Sequence, residues 1–148
     1  MHTFKDMVEL HVNRLLTIRW KLLTERISEE AYNVAIMAER MAWYDICSGL
    51  DDRGYVVTPV KELTPQDLKT YDVLDGFPLI GLLHYRGVTV PMYNDDYGQQ
   101  VFAKWNGREV SGGAYNPYYC EVFVMELDRE IDNARIEAYD REYLDDGE

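Results

Sequence analysis

The sequence predicts an α+β fold: an N-terminal antiparallel helical hairpin, a small antiparallel β-meander of four to five strands, and a C-terminal acidic helix. Three observations carry this reading. Apolar residues recur at helical spacing near both ends of the chain, the middle switches to short β-branched and aromatic runs, and two-residue turn signals separate those runs. The expected organisation is a single domain, with the hairpin over 1–50, mostly β structure over 51–116, the last helix over 117–143 and a frayed tail over 144–148.

In the first helix Phe4, Val8, His11, Leu15, Ile18 and Leu22 step by four and three, so they share one face. Thr3 is a candidate N-cap, with Asp6 in the capping-box position, and the helix is expected to run from about 3 to 26. Ser28 is the next N-cap, followed by Glu29 and Glu30 where the helix dipole favours acids. Ala31, Ala35, Ala38 and Ala42 are expected to line a face that lets the first helix approach closely, and Gly49 to end the second.

After Asp51-Asp52-Arg53-Gly54 the pattern becomes extended. Tyr55 to Val60 reads as a short strand, with Pro59 favouring a strand end. Thr64-Pro65-Gln66-Asp67 starts a brief helix that ends near Tyr71. Strands follow at about 79–85, 88–93, 99–105 and 108–111. They are separated by Arg86-Gly87, by the polar loop Asn94 to Gly98, and by Asn106-Gly107, a favoured hairpin turn. Asn116-Pro117 then opens a last helix on which Cys120, Val124, Leu127, Ile131, Ala134 and Ala138 share a face. The run Val122 to Val124 leaves residues 119–127 readable as helix or strand.

The charge is uneven. The net charge is −12, and the last 32 residues carry 11 acids against 3 bases, so most of the excess lies in the C-terminal fifth. Direct nucleic-acid binding is disfavoured, because it depends on Lys and Arg releasing counterions from phosphates. A protein with a basic surface is the easier partner. Arg14, Arg19, Lys21 and Arg26 make the second half of the first helix locally basic. They are expected to lie against the acidic C-terminal helix, within one molecule or across a homodimer. No apolar run approaches the roughly 20 residues that span a bilayer, and no secretory signal is evident at the N-terminus. With only Cys47 and Cys120 and no disulfide framework, the expected compartment is the cytoplasm.

Catalytic motifs are missing from the sequence. His2, His11 and His84 have no metal-ligand spacing, there is no HExxH or CxxC, and Ser28, Ser48 and Ser111 are not in GxSxG. Asn94 to Gly98 resembles half of a calcium loop but lacks the later bidentate glutamate, so it reads as a turn. Ser111-Gly112-Gly113 before a helix start can cradle an anion, yet has no P-loop spacing. No cofactor, metal or catalytic residue is expected.

Tyrosine is abundant, with six copies between Tyr85 and Tyr119, and tyrosine is enriched at interfaces. The function expected is an acidic protein-interaction module engaging a basic partner through the acidic helix and the tyrosine-rich loops. Its candidate contacts are Tyr93, Asp95, Asp96, Tyr97, Trp105, Tyr115, Tyr118, Glu121, Asp128 and Asp132. In general character (small, acidic, motif-free) the chain is similar to inhibitor proteins of phages and mobile elements that block nucleic-acid-binding enzymes, a similarity that covers no motif. The alternatives are a small enzyme or ligand binder, with Asp95, Asp96, His84 and Tyr115 near the Gly112-Gly113 corner, and a structural subunit without activity of its own.

Overall fold

Local chemistry sets the elements. In the computed structural model, which describes residues 3–49, 54–71, 77–94, 100–113 and 121–146, α1 spans Phe4–Leu23 and α2 spans Glu29–Ser48. Thr3 and Asp6 form a reciprocal capping box at the start of α1, each side chain accepting from the other's backbone N–H. Ser28 caps α2 by accepting from the Ala31 N–H. α1 stops short of residue 26 because the chain turns at Glu25, whose φ of 59° is left-handed.

β1 (Tyr55–Pro59) leads through a short 3-10 turn to α3 (Pro65–Tyr71), which Thr64 and Asp67 cap reciprocally. β2 (Leu79–Tyr85), β3 (Val88–Asn94), β4 (Gln100–Trp105) and β5 (Arg108–Gly113) complete a five-stranded antiparallel sheet in sequential order, an uninterrupted meander. Arg86-Gly87 and Asn106-Gly107 both take positive φ at each position, as type I′ turns require. α4 spans Glu121–Asp146, so residues 121–127 are helical, and the helix runs past the frayed tail expected from residue 144.

The chain forms two compact units, Met1–Arg53 with Arg129–Glu148, and Gly54–Asp128. In the first, Leu15, Ile36 and Ile136 form a buried cluster drawn from α1, α2 and α4, flanked by Leu16, Ile18 and Tyr32. In the second, one sheet face buries Leu83, Val90, Met92, Val101, Ala103 and Val110, while Phe123 and Leu127 of α4 are buried as well. A Cβ on Gly112 would lie 2.6 Å from the Phe123 backbone nitrogen, so only glycine admits α4 against β5 there.

Two helix faces differ from the sequence reading. Ala31, Ala38 and Ala42 are exposed, and α2 instead turns Ile36 and Trp43 inward, because large side chains bury more apolar area than alanine does. On α4 the buried positions are Phe123, Val124, Leu127, Asp128, Asp132 and Ile136, so the inward face includes two aspartates while Ala134 and Ala138 are only half-buried.

Candidate functional site

The two buried aspartates of α4 hold the densest polar chemistry. In the first unit, His11 Nε2 lies 2.9 Å from Asp132 Oδ2 and its Nδ1 lies 3.1 Å from Glu39 Oε1. The imidazole stacks on Trp43 at 4.7 Å and is 2 % exposed, while Asp132 is fully buried. Arg40 Nε stands 3.9 Å from the same Asp132 oxygen, and Arg40 Nη2 donates to Asn133 Oδ1. Arg14 approaches Glu39 at 4.0 Å.

A histidine between carboxylates resembles the base and orienting group of a hydrolase. Here both ring nitrogens are engaged by carboxylate oxygens, so neither is left to take a proton from a substrate. The arrangement instead clasps α1, α2 and α4 together through paired buried side chains.

Further along α4, Asp140 accepts two hydrogen bonds from Arg19, from Nε at 2.8 Å and Nη2 at 2.6 Å. That hydrogen bond raises the Arg19 guanidinium above its ordinary value, partly opposed by desolvation. Of the basic residues on α1, Arg19 thus meets the acidic helix within one molecule, whereas Arg14 approaches Glu39 of α2. Arg19 also lies over the Tyr32 ring at 5.2 Å, and Arg26 over the Trp20 ring at 4.6 Å.

In the second unit, Asp128 Oδ1 accepts from Tyr85 OH at 2.7 Å and from Arg86 Nη1 at 3.0 Å. Arg86 sits in the β2–β3 turn at a φ of 52°, yet its side chain is buried against Asp128. Buried ion pairing holds that left-handed residue in place.

Of the residues expected from the sequence to contact a partner, three are buried. Asp128 and Asp132 point into the interior, where tyrosine, arginine and histidine take up their carboxylates. Tyr93 is buried, its hydroxyl donating to the Tyr71 carbonyl and its ring 5.9 Å from Phe102. Trp105 is half-buried at the end of β4, and Glu121 is exposed in the first turn of α4. Asp95, Asp96, Tyr97, Tyr115 and Tyr118 lie outside the described residues, as does Cys120. His84 bridges Thr58 and Thr89 at 3.0 Å each, spanning three strands. The Gly112 side of the sheet corner is filled by the α4 backbone.

The surface that sequence reasoning missed is the outer face of α2. Val34, Met37 and Met41 are 70, 65 and 61 % exposed, and Ala38 among them is exposed too. Exposed Glu30 and Asp45 stand at the two ends of this stripe. Large apolar side chains grouped in water are the informative case, because isolated ones are common. The signal was present: positions 34, 37, 38 and 41 follow the same i, i+3, i+4, i+7 spacing that marks a core face. α2 carries apolar residues on two sides, and only one finds a place inside. Among known proteins, no family model matches this chain, and no curated protein or solved structure is significantly similar to it.

Proposed function

We propose that this protein is an acidic protein-interaction module that engages a basic partner surface through the outer face of α2. The observation that carries this reading is the exposed stripe Val34, Met37, Ala38 and Met41 bracketed by Glu30 and Asp45. Methionine side chains are flexible and polarisable, which suits them to binding surfaces that adapt. The net charge of −12 repels phosphate backbones and attracts basic proteins. An inhibitor that occupies the nucleic-acid-binding surface of another protein is one form such a module takes.

Affinity capture from a lysate of the source cells tests the reading, using the full chain and a Val34→Ser/Met37→Ser/Met41→Ser variant at low and high salt. A basic protein retained by the full chain, released at high salt and lost with the variant is the expected outcome. Identical capture by both forms refutes α2 as the contact face.

A further inference from the structure

The outer face of α2 has a shape and a charge order that restrict what can cover it. Resting on the interaction reading above, we infer that its occupant is an amphipathic helix of another protein, with an apolar stripe bracketed by Lys or Arg at both ends.

Val34, Met37, Ala38 and Met41 form a ridge two turns long on a 20-residue helix, with Ala38 as the low point between longer side chains. Ridges of this kind pack against the grooves of a second helix, which places apolar residues at matching spacing. A helix seated in this way uses i, i+3, i+4 and i+7 anchors.

The charges then fix the partner's ends. Glu30 and Asp45 are separated by 15 positions, or about 22 Å along the axis at the rise of an α-helix. Both are exposed, and Arg40, the base on this helix, is turned toward Asn133 and Asp132. The face thus reads acid, apolar, acid. Basic residues about four turns apart on the partner complement it in either direction along the helix.

The same order rejects a second copy of this chain. Parallel pairing of two α2 faces sets Glu30 on Glu30 and Asp45 on Asp45, and antiparallel pairing sets Glu30 on Asp45. Every like-charge juxtaposition is unfavourable. An anionic membrane surface meets the same two acids.

The test uses the purified full chain and a synthetic helical peptide of about 20 residues, with Leu at i, i+3, i+4 and i+7 and Lys at both ends. A scrambled peptide of the same composition and a second peptide with Glu at both ends are the comparisons, each read by calorimetric titration. The Lys-ended helix is expected to bind at least about ten-fold more tightly than the scrambled one. Met37→Ser/Met41→Ser, both on exposed positions, should weaken it by about ten-fold or more. Glu30→Lys/Asp45→Lys should weaken the Lys-ended helix and create binding of the Glu-ended one.

Equal affinity for ordered and scrambled peptides overturns the inference, as does unchanged affinity in both variants. Concentration-dependent dimerisation lost in Met37→Ser/Met41→Ser puts a second copy on the face and also overturns it. If lysate capture depends on α2 while no helical peptide binds, the helix inference alone fails. If capture is also independent of α2, both fail.

Discussion

His11 Nε2 and Asp132 Oδ2 lie 2.9 Å apart, joining α1 to α4 across 121 positions of sequence. Both side chains are buried, so removing either takes one paired group from the other in a medium that solvates charge poorly. Asp132→Ala is expected to cost about 3 kcal/mol. Asp132→Asn keeps an acceptor oxygen and should cost less. Urea unfolding of the two variants beside the native chain checks the order.

Arg19 and Asp140 are more exposed, and a different outcome follows. Arg19→Lys loses the two-pronged geometry that the guanidinium makes with both carboxylate oxygens. A double-mutant cycle with Asp140→Ala should give a coupling of about 1 kcal/mol or less, which the lysine does not recover. Because folding raises the Arg19 guanidinium above its ordinary value, its contribution is fully present below that ordinary value and lost only as the pH rises past the folded one. Stability measured between neutrality and about pH 11 should therefore show no loss from this group.

Glycines 112 and 87 separate two kinds of constraint. Gly112→Ala drives a Cβ into the Phe123 backbone and is expected to cost about 3 kcal/mol or to shift α4. Gly87→Ala has open space around it but a φ of 76°, so only the left-handed strain of about 1 kcal/mol applies. Thermal melts of the two variants should differ clearly.

Tyr85→Phe removes the hydroxyl that donates to Asp128 and leaves Arg86 in place. The cost should fall near 1–2 kcal/mol, read from denaturant midpoints. Arg86→Ala should cost more, since it removes a buried charge-assisted hydrogen bond rather than a neutral one.

Shortening the chain after Asn133 looks from sequence like a way to trim acidity. In the structure that cut removes Ile136 from its cluster with Leu15 and Ile36, and Asp140 from Arg19. Loss of the cooperative melt of the N-terminal helices is expected, by circular dichroism, before any effect on binding is interpretable. Point substitutions on α2 are the cleaner probe.

How legible these features were depends on the range of the interactions behind them. Thr64-Pro65 and Asn106-Gly107 mark their boundaries within a residue or so, because caps and I′ turns are decided by two to four neighbours. The strands of the meander were readable for the same reason. The inward face of α4 was not. Aspartate counts as outward-facing in any apolar periodicity, and only long-range contacts reveal that Arg86 and His11 receive Asp128 and Asp132. The outer face of α2 was hidden by the opposite effect: Val34, Met37 and Met41 fit a core pattern, and nothing local distinguishes an apolar face that is buried from one left exposed.

The clasp at Asp132 also dictates an order of assembly. At synthesis rates of about 5–20 residues per second, roughly 6–24 s pass between the making of His11 and of Asp132. Through that interval α1 and α2 have each other but not the strip of α4 that covers Leu15, Ile36 and His11. The sheet, whose strands pair in the order they are made, has no such wait until α4 begins. Until α4 is made, the first unit lacks Ile136 and Asp132 and the second lacks Phe123 and Leu127, so one helix supplies the last buried residues of both.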